Sequence, residues 1–124
     1  MADQKLVYII DDDPDILDSI NAILSAEGFR VETALSGEEG LEKLKTIKPD
    51  LILCDMMMER IDAGTKVAQE IRKTNKSIPI YLLSSIGSAT AMNIEVDKLG
   101  FDGVFQKPVA PSALISTVKK ALHM

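Results

Sequence analysis

The chain has 124 residues, 46% of them hydrophobic, which suffices for one domain with a single buried core and leaves no room for a second. Its 14 basic and 19 acidic residues give a formal net charge of -5, and no Lys/Arg cluster stands apart from helical spacing, so nucleic acid and anionic membrane are not expected as direct ligands. No apolar stretch approaches a bilayer span, Met1 to Lys5 lacks the basic and apolar regions of a signal peptide, and Cys54 has no partner cysteine, so a reducing, cytoplasmic setting is expected.

Lys5 to Ile10 is apolar and partly β-branched, and it stops at Asp11, Asp12 and Asp13; this is the first strand. Asp13 is a candidate N-cap with Pro14 at the first helical position, and Ile16, Ile20, Ile23, Leu24 and Glu27 keep a helical period up to Gly28. Phe29 to Ala34 alternates apolar and polar residues, as a more exposed edge strand would. Ser36 with Glu39 forms a capping box for a helix carrying Leu41, Leu44 and Ile47, which Pro49 ends. Leu51, Ile52, Leu53 and Cys54 then run without polar alternation into Asp55, as in a strand covered on both faces.

After the loop Met56 to Asp62, the segment Gly64 to Thr74 places Val67, Ala68 and Ile71 at helical spacing, and Ile78 to Leu83 is a fourth strand closed by Ser84 and Ser85. Gly87 to Leu99 predicts a helix of low intrinsic propensity, since Thr90, Asn93, Ile94 and Val96 are poor helix formers, and so a candidate mobile element. Gly100 ends it. Asp102 to Gln106 is a short fifth strand, Lys107 and Pro108 turn the chain, and Leu114, Ile115, Val118 and Leu122 give the last helix its apolar face. Five βα units without repeats or linkers predict an α/β fold with a doubly wound, five-stranded parallel sheet of flavodoxin-like (βα)5 type.

Four strand ends carry polar groups: Asp11 and Asp12, Asp55, Ser84, and Lys107. The second strand contributes none, as expected if it is the edge of a sheet ordered 2-1-3-4-5. Carboxylates gathered at one sheet edge repel each other by roughly 4 kcal/mol per pair at 4 Å with an effective dielectric of about 20. A hard divalent cation with oxygen ligands relieves this, and Mg²⁺ suits two or three Asp better than Zn²⁺ does. A phosphoryl group on Asp55 would then meet Mg²⁺, the Lys107 charge and the Ser84 hydroxyl, the groups that stabilise phosphoryl transfer.

Taken singly, each residue has a plain structural explanation. Capping and dipole complementarity account for Asp13 and Asp15. They do not account for Asp11 and Asp12 directly after a buried strand. Cys54 reads as core rather than nucleophile, because strand alternation turns it away from Asp55, and His123 as the single histidine argues against a Ser/His/Asp triad or a zinc site. Met56, Met57 and Met58 read as an apolar loop, with a partner surface as the other option.

The ordered set of Asp11-Asp12, Asp55, Ser84 and Lys107-Pro108 resembles the receiver domain of bacterial two-component response regulators, across essentially the whole chain. The resemblance implies that Asp55 takes a phosphoryl group from a phosphohistidine on a sensor histidine kinase or histidine phosphotransfer protein. It implies that Asp11 and Asp12 hold Mg²⁺ directly or through water, with the Met57 backbone carbonyl as a further ligand. Ser84 and Lys107 would each bind a phosphoryl oxygen, and the helix over 87–99, the fifth strand and the last helix would form the output face. Residues 1–124 are then a single receiver domain without an output domain, signalling by binding to a downstream protein the residues do not name, as a monomer or weak homodimer.

Several positions depart from the family pattern. Glu59 and Ala63 stand where proline and glycine are usual, and Val104 stands where a switching aromatic is usual three residues before the lysine. Phe105 faces the other way by strand alternation, so readout is expected not to use an aromatic rotamer there. Met57 and Ile86 are apolar at the two positions that tune hydrolysis, which predicts a long-lived phosphorylated state. Three other readings compete with this one. A receiver that has lost phosphorylation would act as an interaction module. A haloacid-dehalogenase-type Mg²⁺ phosphatase needs a second Asp where Met57 stands. A flavodoxin-like nucleotide binder needs a Gly/Ser/Thr-rich first loop where three aspartates would repel phosphate.

Overall fold

In the computed structural model, residues 4–55, 63–75, 77–84, 101–106 and 109–123 are described, without the side chains of 63–66, 74, 84 and 106. They form β1 (Leu6–Ile10), α1 (Pro14–Ala26), β2 (Arg30–Ala34), α2 (Gly37–Lys43), β3 (Leu51–Asp55), α3 (Ala63–Thr74), β4 (Ile80–Ser84), β5 (Gly103–Gln106) and α4 (Pro111–Ala121). The strands make one parallel sheet in the order β2-β1-β3-β4-β5, the doubly wound arrangement expected from the alternating elements. The helix expected over 87–99 lies outside the described residues. Among the described residues no helix is long and apolar enough to cross a membrane.

The unalternating apolar strands are explained by a core on each side of the sheet. Val7, Ile9, Leu53, Leu83 and Phe105 face α1 and α4, while Tyr8, Ile10, Ile52, Cys54, Ile80 and Leu82 face α2 and α3. Every residue of β1 and β3 is buried, whereas β2 is exposed or half-buried up to Ala34, as the edge position requires. Asp13 caps α1, its side chain accepting from the Asp15 amide, and Ser36 caps α2 from the Glu39 amide while the Glu39 carboxylate accepts from the Leu35 amide.

The second helix is shorter than its periodicity predicts. It ends at Lys43, and the next turn tightens, with the Lys45 amide bonding the Glu42 carbonyl and the Thr46 amide the Lys43 carbonyl. The Thr46 hydroxyl donates to that same Lys43 carbonyl at 3.1 Å, and the carbonyl also accepts from the Ile47 amide at 3.1 Å, so the regular ladder gives way to overlapping three- and four-residue turns. Leu44 and Ile47 nevertheless pack against the core as anticipated.

One contact fixes how closely α2 approaches the sheet. The buried Tyr8 hydroxyl donates to the Gly40 carbonyl at 2.9 Å, and a Cβ on Gly40 would lie 2.7 Å from Ile10 Cδ1. Burial, and after it the charges of Glu39, Glu32 and Cys54, raises the Tyr8 phenol above its ordinary 10.0. The fold therefore holds Tyr8 neutral where the unfolded chain would ionise it. That contribution is complete below pH 10 and falls by up to about 1.4 kcal/mol per pH unit above it, because the unfolded state then binds fewer protons than the folded one. Urea unfolding followed from pH 9 to 11 is expected to show this decline, and Tyr8→Phe is expected to flatten most of it.

Candidate functional site

Because all five strands run parallel, their carboxyl ends share one edge of the sheet. β1 and β3 are direct neighbours there, so the residue following β1 and the last residue of β3 are brought side by side. Asp11 is fully buried, Asp55 is 5% exposed and Asp12 is open to solvent, and one oxygen of each lies within 4.8 Å of the others. Three carboxylates on adjoining strand ends, two of them shielded from water, attract a cation strongly.

The turn after β1 holds this arrangement. The Asp11 amide donates to the Ala34 carbonyl at 3.1 Å, which extends the β1/β2 pairing by one residue and fixes the backbone at the start of the turn. The Asp13 amide donates to Asp11 Oδ1 at 2.9 Å, setting the carboxylate rotamer. Asp13 is in turn fixed by capping α1, with Pro14 at the first helical position and its own carbonyl accepting from the Leu17 amide. The acidic turn and the helix start are thus one unit, and the N-cap indirectly orients the site carboxylate. Sequence reading identified Asp13 only as a cap; the Asp-x-Asp spacing, which favours an amide-to-carboxylate bond two residues back, was the available signal.

The donor set tests what could bind. All-oxygen, all-anionic donors suit a hard divalent ion, and a site open on the Asp12 side leaves room for the waters Mg²⁺ retains. The residues fit that ion.

Of the other expected site residues, Ser84 ends β4. Asp55 pairs in register with Leu83, so the Ser84 backbone follows one residue further along the adjoining strand, opposite Gln106 of β5. Met57, Glu59, Ile86 and Lys107 lie outside the described residues. Ala63 begins α3. Cys54 is buried on the opposite face of β3 from Leu53, as the core reading anticipated. Val104 is half-buried on the α2/α3 face and Phe105 is buried on the other, so the two face opposite ways as strand alternation predicts.

Comparison with known proteins places these features in one context. Residues 7–119 match the model of the response regulator receiver domain. The chain is 35% identical over 124 residues to the alkaline phosphatase synthesis transcriptional regulatory protein PhoP of Bacillus subtilis, covering 96% of this chain and 49% of that protein. It is 34% identical over 117 residues to the transcriptional regulatory protein GlrR of Escherichia coli, covering 94% of this chain and 26% of that protein. The chain thus spans half or less of these relatives' length. Among solved structures it resembles a putative response regulator from Chloroflexus aurantiacus with a TM-score of 0.87 and 29% identity, covering 98% of this chain and 99% of that one. It also resembles a CheY-like receiver domain protein from Methanospirillum hungatei with a TM-score of 0.86 and 30% identity, covering 97% and 94%. With the sheet order, the acidic edge and the matched span in agreement, the chain belongs to the response regulator receiver domain family of two-component signalling.

Proposed function

We propose that Asp55 is the phosphoryl acceptor and that Asp11, Asp12 and the Met57 backbone carbonyl hold Mg²⁺ beside it. The observation that carries this is the convergence of the Asp11, Asp12 and Asp55 oxygens from two neighbouring strand ends. An Asp55 carboxylate oxygen attacks the phosphorus of a phosphohistidine, the P–N bond breaks, an acyl phosphate forms, and the departing imidazole nitrogen regains a proton. Bound Mg²⁺ would neutralise the charge shared by the carboxylates and the phosphoryl oxygens. The Asp13 amide keeps Asp11 oriented, the Ser84 hydroxyl donates to one phosphoryl oxygen, and the Lys107 ammonium pairs with another.

The donor is a sensor histidine kinase or a histidine phosphotransfer protein, and the signal passes on by a changed protein-binding face. The domain acts as a switch in the cytoplasm and turns over no metabolite. Hydrolysis of its own acyl phosphate is slow, because Met57 and Ile86 place apolar residues at the positions that govern water access.

Intact mass after incubation with acetyl phosphate tests this. One phosphoryl adduct is expected, requiring Mg²⁺ and lost in Asp55→Asn. A folded protein that forms no adduct would make this an interaction module whose atypical Glu59 and Ala63 loop has disabled the chemistry.

A further inference from the structure

The fifth strand has only four residues, Gly103–Gln106, and pairs with one neighbour. Its register is weakly specified by its apolar pattern alone. Val104 and Phe105 are consecutive apolar residues between two covered faces, so a slip of one residue on β4 would still bury an apolar side chain on each side. Something else must select the observed pairing.

At the amino edge of the sheet, residue 102 is locked to residue 80 twice. The Asp102 amide donates to the Ile80 carbonyl at 2.7 Å, and Asp102 Oδ2 accepts from the Ile80 amide at 2.8 Å. The same Oδ2 accepts from Arg72 Nη2 at 2.8 Å, while Arg72 Nη1 donates to the Ile78 carbonyl at 2.6 Å. Arg72 thereby ties the end of α3, the entry to β4 and the entry to β5 together. The pairing of 102 with 80 carries the same 22-residue offset as the strand register that follows, Tyr81 with Gly103 through Ser84 with Gln106. A second lock agrees with it: the Tyr81 ring covers Gly103 so closely that a Cβ there would lie 2.7 Å from Cε2.

We infer that Asp102, held by Arg72, is a positioning residue for phosphoryl transfer, fixing β5 on β4 so that the strand leading to Lys107 ends beside Ser84. This rests on the assignment of Lys107 and Ser84 as phosphoryl-binding groups. It is distinct from a plain contribution to stability, because a register error would act on transfer through Lys107 and leave the carboxylates of β1 and β3 in place.

The test is a double-mutant cycle with acetyl phosphate, rates read by intact mass and Mg²⁺ affinity by calorimetry on the same full chains. Asp102→Ala is expected to slow phosphorylation roughly 10- to 100-fold, the scale of an ångström-sized misplacement, with Mg²⁺ affinity unchanged. In a Lys107→Ala background it should cause no further loss, and Asp102→Asn, whose amide oxygen still accepts from Ile80, should recover most of the rate. If Asp102→Ala does not fold, Arg72→Gln is expected to show the same dependence on Lys107. Equal losses in both backgrounds, or a parallel fall in Mg²⁺ affinity, would overturn the inference. A wild-type rate in Lys107→Ala alone would instead remove the role assigned to Lys107 and the inference with it.

Discussion

Asp11→Asn is expected to raise the unfolding temperature of the metal-free protein and to lower it relative to wild type once Mg²⁺ is saturating. Asp11 is fully buried with Asp55 beside it and Asp12 within the same 4.8 Å. Coulomb repulsion between unit charges at 4 Å is about 4 kcal/mol at an effective dielectric of 20, and the solvent around Asp12 reduces its share. Removing one charge, with the amide oxygen still able to accept from the Asp13 amide, should leave a net gain of about 1–3 kcal/mol, or roughly 3–10 °C in midpoint. Mg²⁺ reverses the order, because a ligand bound only by the folded state adds about 4.1 kcal/mol at about 1,000 times its dissociation constant. The variant, short of one anionic ligand, gains little of that. Scanning calorimetry in chelator and in Mg²⁺ reads both signs, and a variant no more stable than wild type in chelator would show that these carboxylates do not strain the metal-free fold.

Gly40→Ala is expected to destabilise the protein by about 1–3 kcal/mol, the usual cost of overpacking, although alanine alone would favour a helix by about 1 kcal/mol. The sign is set by Ile10. Besides the 2.7 Å approach to Cδ1, the new methyl would lie 3.1 Å from Cγ1 and Cγ2 of a side chain that is itself fully buried. Nor can the helix lift away freely, since the Tyr8 hydroxyl holds the Gly40 carbonyl. Adding Ile10→Val, which deletes the atom in closest conflict, should restore part of the loss. Urea midpoints of the two single variants and the double variant measure this, and additive losses would mean that the methyl is accommodated elsewhere.

The contrast between these positions shows what could be read in advance. Asp11, Asp12 and Asp55 were legible because each stands where an apolar run breaks off, and parallel strands must release such residues at one edge. The run from Leu51 to Cys54 announced a strand covered on both faces for the same reason. Tyr8 with Gly40, and Arg72 with Asp102, left no such mark. These pairs lie 32 and 30 residues apart, and their bonds depend on how α2 and β5 settle on their neighbours. The early end of α2 was not legible because Leu44 and Ile47 keep a helical spacing in sequence, while the tightening of the last turn shows only in the bonds: the Lys43 carbonyl is shared by the Thr46 amide, the Thr46 hydroxyl and the Ile47 amide.

Strand β3 occupies the middle of the sheet, paired with β1 on one side and β4 on the other, and its first four residues are wholly enclosed. Its amides can exchange with solvent only when both neighbours have separated and both layers of helices have lifted. Local fluctuations that open β2 or β5 cost far less than such a global opening. Asp55, the proposed phosphoryl acceptor, is thus mounted on the segment that yields last, and its place in the sheet persists through any rearrangement of the sheet's borders short of unfolding itself.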